Sequence, residues 1–294
     1  VVTISLDFPV QTVAPGAEDT QCVVLTVPTA GAVRVESMRN TLEAGAVELA
    51  LFRTSDPEQT TPVACQFFQG TTDGNLLMLT HKPDDVLQFP AGVGYLFDPQ
   101  QRVRMMLHLY NPGAVPLDVH VRATFTINAD VANHVEAGLL LMMNPDVVIP
   151  PGGVASLTSF LDVPAVGPLA GASFFRMMGY THALGTAVTA VTGPGAAGPM
   201  TVRYDPTWDP SNPAEALFEP AFGLPSPGGF GFTCQWNNTG GNSVGSGTSV
   251  LDEMCLVQAS FYPATSSLVC VHTAQGGGQD FCCPGSALCS GVFP

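Results

Sequence analysis

Apolar and polar residues alternate along this chain in short runs, and each run is closed off by Gly, Pro, Asn or Asp. The runs include Cys22 to Val27, Ala46 to Phe52, Arg102 to Tyr110, Leu117 to Ile127 and Val257 to Tyr262. A period of two sends successive side chains to opposite faces of an extended backbone, so these segments read as strands of a sandwich. With 31 Gly and 26 Pro among 294 residues, a long helix would be broken before it could bury a face. The helix-like windows are short. Over 212–218, Asn212 is placed to cap a helical turn and Pro213 to open it, and Pro220 stops its extension. The expectation is an all-β protein.

The length suffices for two domains, each with its own core. One strand closes at Ile127 and a new apolar strand opens at Ala137, which sets the expected domains at 1–132 and 133–294. No Pro/Gly linker separates them, so rigid packing of the two halves is expected. The Gly/Ala/Pro segment Gly193 to Met200 and the Gly/Ser segment Gly240 to Ser249 read as hairpin loops within the second half.

Charged residues make up only 11% of the chain, and the net charge is −15 with Lys82 as the single lysine. Such a surface repels phosphate backbones, which argues against a nucleic-acid partner. No apolar run reaches 18 residues, so no transmembrane span is expected. Eight cysteines, an even number, suit an oxidising compartment. The sequence starts at Val1 without a signal segment, as a processed secreted protein would. Localisation is therefore read as secreted, extracellular or cell-surface. Cys22 and Cys65 are the only cysteines of the first half and are expected to pair. Cys270, Cys282, Cys283 and Cys289 cluster among Gly and Pro. Zinc is the rival reading for such a cluster, but the paired CxxC spacing of a zinc ribbon is missing, and disulfides among the four are expected.

Three segments carry a more specific signal: Ala137 to Met143, Tyr180-Thr181-His182-Ala183-Leu184-Gly185, and Asp252-Glu253-Met254-Cys255. A His with a distant Met beside a Cys offers imidazole and thioether donors, which suit copper. In the first half, Leu87 to Tyr95 and Leu107-His108-Leu109-Tyr110 follow in the matching order. Together these segments, spread over roughly residues 20 to 270, resemble the ascorbate-dependent type II copper monooxygenases, the peptidylglycine α-hydroxylating and dopamine β-monooxygenase family. The resemblance implies two tandem antiparallel jelly-roll sandwiches packed against each other, and a Cys234–Cys255 disulfide. It also implies His182 and Met254 as metal-ligand positions near a cleft, close to one another.

The chain departs from that family's pattern at several of these positions. Tyr180 stands where the family has a first His, and a phenol with an ordinary pKa near 10 is a costly ligand. The strand from Glu43 to Leu49 holds no His-His pair. Leu109 takes the place of a further His, with His108 one residue off and therefore on the opposite strand face. Where the family anchors a substrate carboxylate, the chain has Met178, Leu256 and Gln258, with Arg176 two residues before Met178. The favoured reading makes Tyr180, His182 and Met254 packed, hydrogen-bonded residues, with no cofactor. Copper held by them is the rival.

Other chemistry is thin. His81, His120, His134 and His272 have no metal-binding spacing, and neither a P-loop nor a Gly-x-Ser-x-Gly elbow occurs. Asp84-Asp85 and Asp205 to Asp209 read as solvated turns, and Asn237-Asn238-Thr239 makes Asn237 a glycosylation acceptor by pattern. No catalytic residue is assigned. The chain reads as a secreted, non-catalytic structural or binding module that associates with itself or with another surface component. The alternative is a copper-dependent monooxygenase or a Cu(I)-binding protein with a remodelled site.

Overall fold

The structure, a computed structural model, describes residues 2–66, 75–273 and 279–284, and the statements below concern these. They contain strands and no helix. The chain divides into two compact units between Ala137 and Gly138, five residues beyond the expected boundary. The reason is local. Val135–Glu136 pairs in parallel with Val93–Phe97 and so belongs to the first unit.

The first unit contains β1 (Val2–Val13), β2 (Glu18–Thr26), β3 (Val33–Leu42), β4 (Ala46–Thr54), β5 (Gln59–Ala64) and β6 (Asn75–Thr80). It continues with β7 (Asp84–Gln88), β8 (Val93–Phe97), β9 (Arg102–Tyr110), β10 (Leu117–Asn128) and β11 (Val135–Glu136). One sheet runs β1-β10-β3-β8-β11 with β7 also on β3, and the other runs β5-β2-β9-β4-β6. β1 lies on β10, β2 on β9, and β3 on β7 and β8. This nesting is that of a long hairpin rolled up on itself, a jelly roll. Inward positions follow the period of two: in β10, Val119, Val121, Ala123, Phe125 and Ile127 are buried and their neighbours are not. Phe97 packs on Phe125 at 5.6 Å between ring centroids, and the Tyr95 hydroxyl donates to the Leu77 carbonyl at 2.7 Å. Gly45 closes the β3–β4 turn at φ 93°, where a Cβ would meet Leu117 at 2.7 Å.

The second unit contains β12 (Gly138–Met143), β13 (Val148–Ile149), β14 (Val154–Val163), β15 (Ser173–Tyr180), β16 (Gly185–Gly193) and β17 (Thr201–Tyr204). There follow β18 (Glu215–Gly223), β19 (Gly228–Asn237), β20 (Val244–Gly245), β21 (Leu256–Tyr262), β22 (Leu268–Thr273) and β23 (Gln279–Pro284). The sheets β18-β15-β21-β12-β22-β23 and β14-β19-β16-β17 repeat the nesting, with β12 on β21, β14 on β19, β15 on β18 and β16 on β17. The second unit is thus also a jelly roll, extended by β22 and β23. Phe174 sits at its centre against Phe230, Phe222 and Phe261, at 4.9, 5.5 and 5.7 Å between centroids.

Where a helical turn was expected over 212–218, the chain instead enters β18. That strand is the edge of its sheet, where Pro220 removes an amide the ladder does not need. Disulfides join Cys22 to Cys65, Cys234 to Cys255 and Cys270 to Cys282, the last across the β22–β23 pair. Cys283 is also disulfide-bonded. Cys289 lies outside the described residues.

Candidate functional site

Tyr180 ends β15, and the turn to β16, which carries Thr181 and His182, is built on a carboxylate supplied from before β21. Glu253 is 1% exposed. One of its oxygens accepts the His182 amide and the Trp236 indole N–H, each at 2.9 Å, and the other accepts the Leu184 amide at 2.6 Å. Burial raises the Glu253 carboxyl above its ordinary value, and the amides of Leu184 and His182 and the Trp236 indole pull against that rise. The Leu184 carbonyl in turn accepts the Asn237 amide at 2.9 Å, which ties the turn to the end of β19. Gly185 is required here, because a Cβ would collide with the Thr181 hydroxyl.

Tyr180, His182 and Met254 are all buried. The rings of Tyr180 and His182 meet edge to face at 5.5 Å, a packing geometry. His182 Nδ1 lies 2.8 Å from the Asp252 carbonyl. As the carbonyl can only accept, Nδ1 carries the proton and the lone pair falls on Nε2, the tautomer of a ligating imidazole. Met254 lines a small pocket with Met143, Asn144, Pro145, Ser246 and Thr248, a set that includes neither His182 nor Tyr180. Among the described residues no group of three or more His, Cys, Asp or Glu is placed to hold a metal. No chemical step is derived through a copper at these residues.

The positions corresponding to a substrate anchor are interior. Met178, Leu256 and Gln258 are buried, and Arg176 donates from Nε to Glu215 at 2.6 Å across β15 and β18. Asp209 is a turn carboxylate that accepts the Ser211 amide and hydroxyl at 2.9 and 2.7 Å, and these bonds lower its pKa. Asp84-Asp85 is not the solvated turn that was expected. It lies in β7, where Asp84 takes a two-pronged contact from Arg39 at 2.8 and 2.6 Å. Asp85 points inward, fully buried, 3.3 Å from Lys82.

The first unit holds a polar constellation that sequence spacing did not reveal. His108 in β9 lies opposite Glu48 in β4, and His81 follows β6 on the same rung. His81 Nδ1 stands 3.1 Å from Glu48, and His108 Nε2 lies 2.9 Å from Glu18 in β2. Glu48, His81 and His108 are each at most 5% exposed. Two carboxylates and two imidazoles thus alternate across the sheet, and each imidazole stands beside a carboxylate. Only the shared placement of Glu48 and His108 on one face of their strands could have signalled it. A second polar feature is an open groove of about 570 Å³ at the β1 irregularity, lined by Asp7, Glu43, His120 and Arg122 among others. Its best-defined contact, Arg122 to Asp7 at 2.6 Å, is an exposed ion pair worth little to stability.

No protein-family model and no curated protein matches the chain. Among solved structures, it is similar to the major capsid protein P2 of bacteriophage PM2, at 9% identity and a TM-score of 0.36, over 90% of this chain and 98% of that one. It is also similar to the glycosylasparaginase PNGase F of Flavobacterium meningosepticum, at 9% identity and a TM-score of 0.39, over 91% and 97%. A third is the cowpea mosaic virus top component, at 9% identity and a TM-score of 0.31, over 90% of each chain. The jelly-roll assignment stands on the strand order of this chain itself.

Proposed function

We propose that this protein is a non-catalytic extracellular module, a tandem jelly-roll scaffold that works by association with copies of itself or with another surface component. The observation that carries the proposal is the Glu253 clamp. Where the sequence points most strongly to chemistry, the polar groups are used internally. Glu253 closes the His182 turn and the Asp252 carbonyl occupies His182 Nδ1. Buried polar groups that satisfy one another in this way fix a unique fold. The disulfides support an oxidising destination. Solubility at a net charge of −15 is compatible with association, provided the contact surface itself is nearly uncharged.

Metal analysis after incubation with Cu(I) and Cu(II), together with oxygen uptake in ascorbate, tests the non-catalytic half of the proposal. The expected result is no stoichiometric copper and no ascorbate-dependent oxygen consumption. One copper per chain would assign a carrier through His182 and Met254. Two coppers with oxygen uptake would restore the monooxygenase.

A further inference from the structure

We infer that β14 is the docking edge for a second copy of this chain, the two β14 strands pairing antiparallel about a twofold axis at Thr158. The inference rests on the association reading and names the surface that would carry it. Several other sheet edges among the described residues are blunted in ways that discourage strand addition. β1 carries Pro9 and a register break between Phe8 and Gln11, β5 carries Pro62 and β18 carries Pro220. β11 and β17 are only two and four residues long. β14, by contrast, runs ten residues without Pro, Gly or bulge at the edge of its sheet.

Its unpaired side can be read from two hydrogen bonds. The Gly153 carbonyl accepts the Asn238 amide and so faces β19, whereas the Asp162 amide turns the other way and meets the Asp280 carboxylate at 3.2 Å. Backbone orientation alternates in an antiparallel ladder. Val154, Ser156, Thr158 and Phe160 therefore share the orientation of Asp162 and turn their amides and carbonyls away from β19. Val154 is 76% exposed, and Ser156 and Thr158 are exposed as well.

The strand fits its own copy. With Thr158 opposite Thr158, Ser156 falls opposite Phe160, and the ladder stops short of Asp162, whose amide Asp280 holds. Asp162 is the only charge in β14, so no like charges meet even though the chain as a whole carries −15. Thr189, Thr233 and Thr158 already stand in one row across β16, β19 and β14, with the Thr158 and Thr233 hydroxyls 2.9 Å apart. A partner's Thr158 would continue that threonine row, a favourable cross-strand pairing.

The test compares the full chain with the Ser156→Lys, Thr158→Lys double variant by light scattering, with thermal melting to show that both are folded. Lysines on an edge strand oppose strand addition, and the two at position 158 would face each other across the twofold axis. The expected result is an oligomer for the unmodified chain and a loss of that mass to a single chain for the variant. An oligomer that persists in the folded variant overturns the β14 assignment and leaves association through another surface. A monomeric unmodified chain overturns the self-association half of the reading as well. If the variant does not fold, amide exchange in the unmodified protein decides. Protection of the Ser156 and Thr158 amides that rises with protein concentration supports the edge, and protection independent of concentration overturns it.

Discussion

Trp236 donates its indole N–H to Glu253 at 2.9 Å, and both side chains are at most 2% exposed. That bond joins the middle of one sheet of the second jelly roll to the segment leading into a strand of the other. The same carboxylate also holds the His182 and Leu184 amides, so three donors depend on one side chain. Glu253→Ala would leave all three without their acceptor, and should lower the unfolding free energy by at least about 3 kcal/mol. Urea denaturation at neutral pH measures it.

Glu253 also makes a pH prediction. Its carboxyl is raised by burial, so the folded chain holds this proton more tightly than the unfolded chain does. The associated stability is fully present below the ordinary value of 4.5 and is lost as pH rises through the raised value. Glu253→Gln cannot titrate and should remove that decline, flattening the dependence of the urea midpoint on pH above 4.5. A variant whose profile parallels that of the unmodified chain would show that other groups set the slope.

The sequence was most legible where one face of a strand is buried. Arg102–Tyr110 was readable end to end, and Leu117 to Ile127 falls one residue short of β10. The nesting of strands into jelly rolls could not come from alternation, because it is set by pairs such as β1 with β10, more than 100 residues apart. The start of β18 was misread as a helical turn because Pro213 before it and Pro220 within it signal local geometry, whereas its place at a sheet edge is a property of the whole unit. At the candidate site, Tyr180, His182 and Met254 stood out by residue type. Glu253, beside Met254, makes the decisive bonds, and an isolated acidic residue gives no sign of being buried. The same holds for Asp85, and for Glu48 between its two histidines.

Cys234 and Cys255 are buried in the second core and enclose a sequence separation of 21 residues. Replacing both with Ala frees that loop in the unfolded chain and should cost about 3 kcal/mol. Thermal unfolding under oxidising conditions reports the change. Reductant should lower the melting temperature of the unmodified chain while moving that of the double variant less.

Tyr204 donates its hydroxyl to the Ala214 carbonyl at 2.8 Å, and burial pushes its phenol up to about 12. In a spectrophotometric titration of the five tyrosines, one step should fall near 12, and Tyr204→Phe should delete it. Deletion of a step near 10 would show that the ring is accessible to water.

Phe174 contacts three aromatic rings at the centre of the second unit and is fully buried. Phe174→Ala leaves a cavity among rigid neighbours and should destabilise the protein by about 3–5 kcal/mol. Phe174→Leu, which keeps most of the volume, should cost less than half of that.

The central claim is that the chain associates with copies of itself through a scaffold whose polar interior is structural. Light scattering of the unmodified, copper-free protein across a concentration series tests it most directly. The account predicts a mass that rises with concentration from one chain to a multiple of 30.6 kDa. A mass fixed at one chain throughout the micromolar range would contradict it.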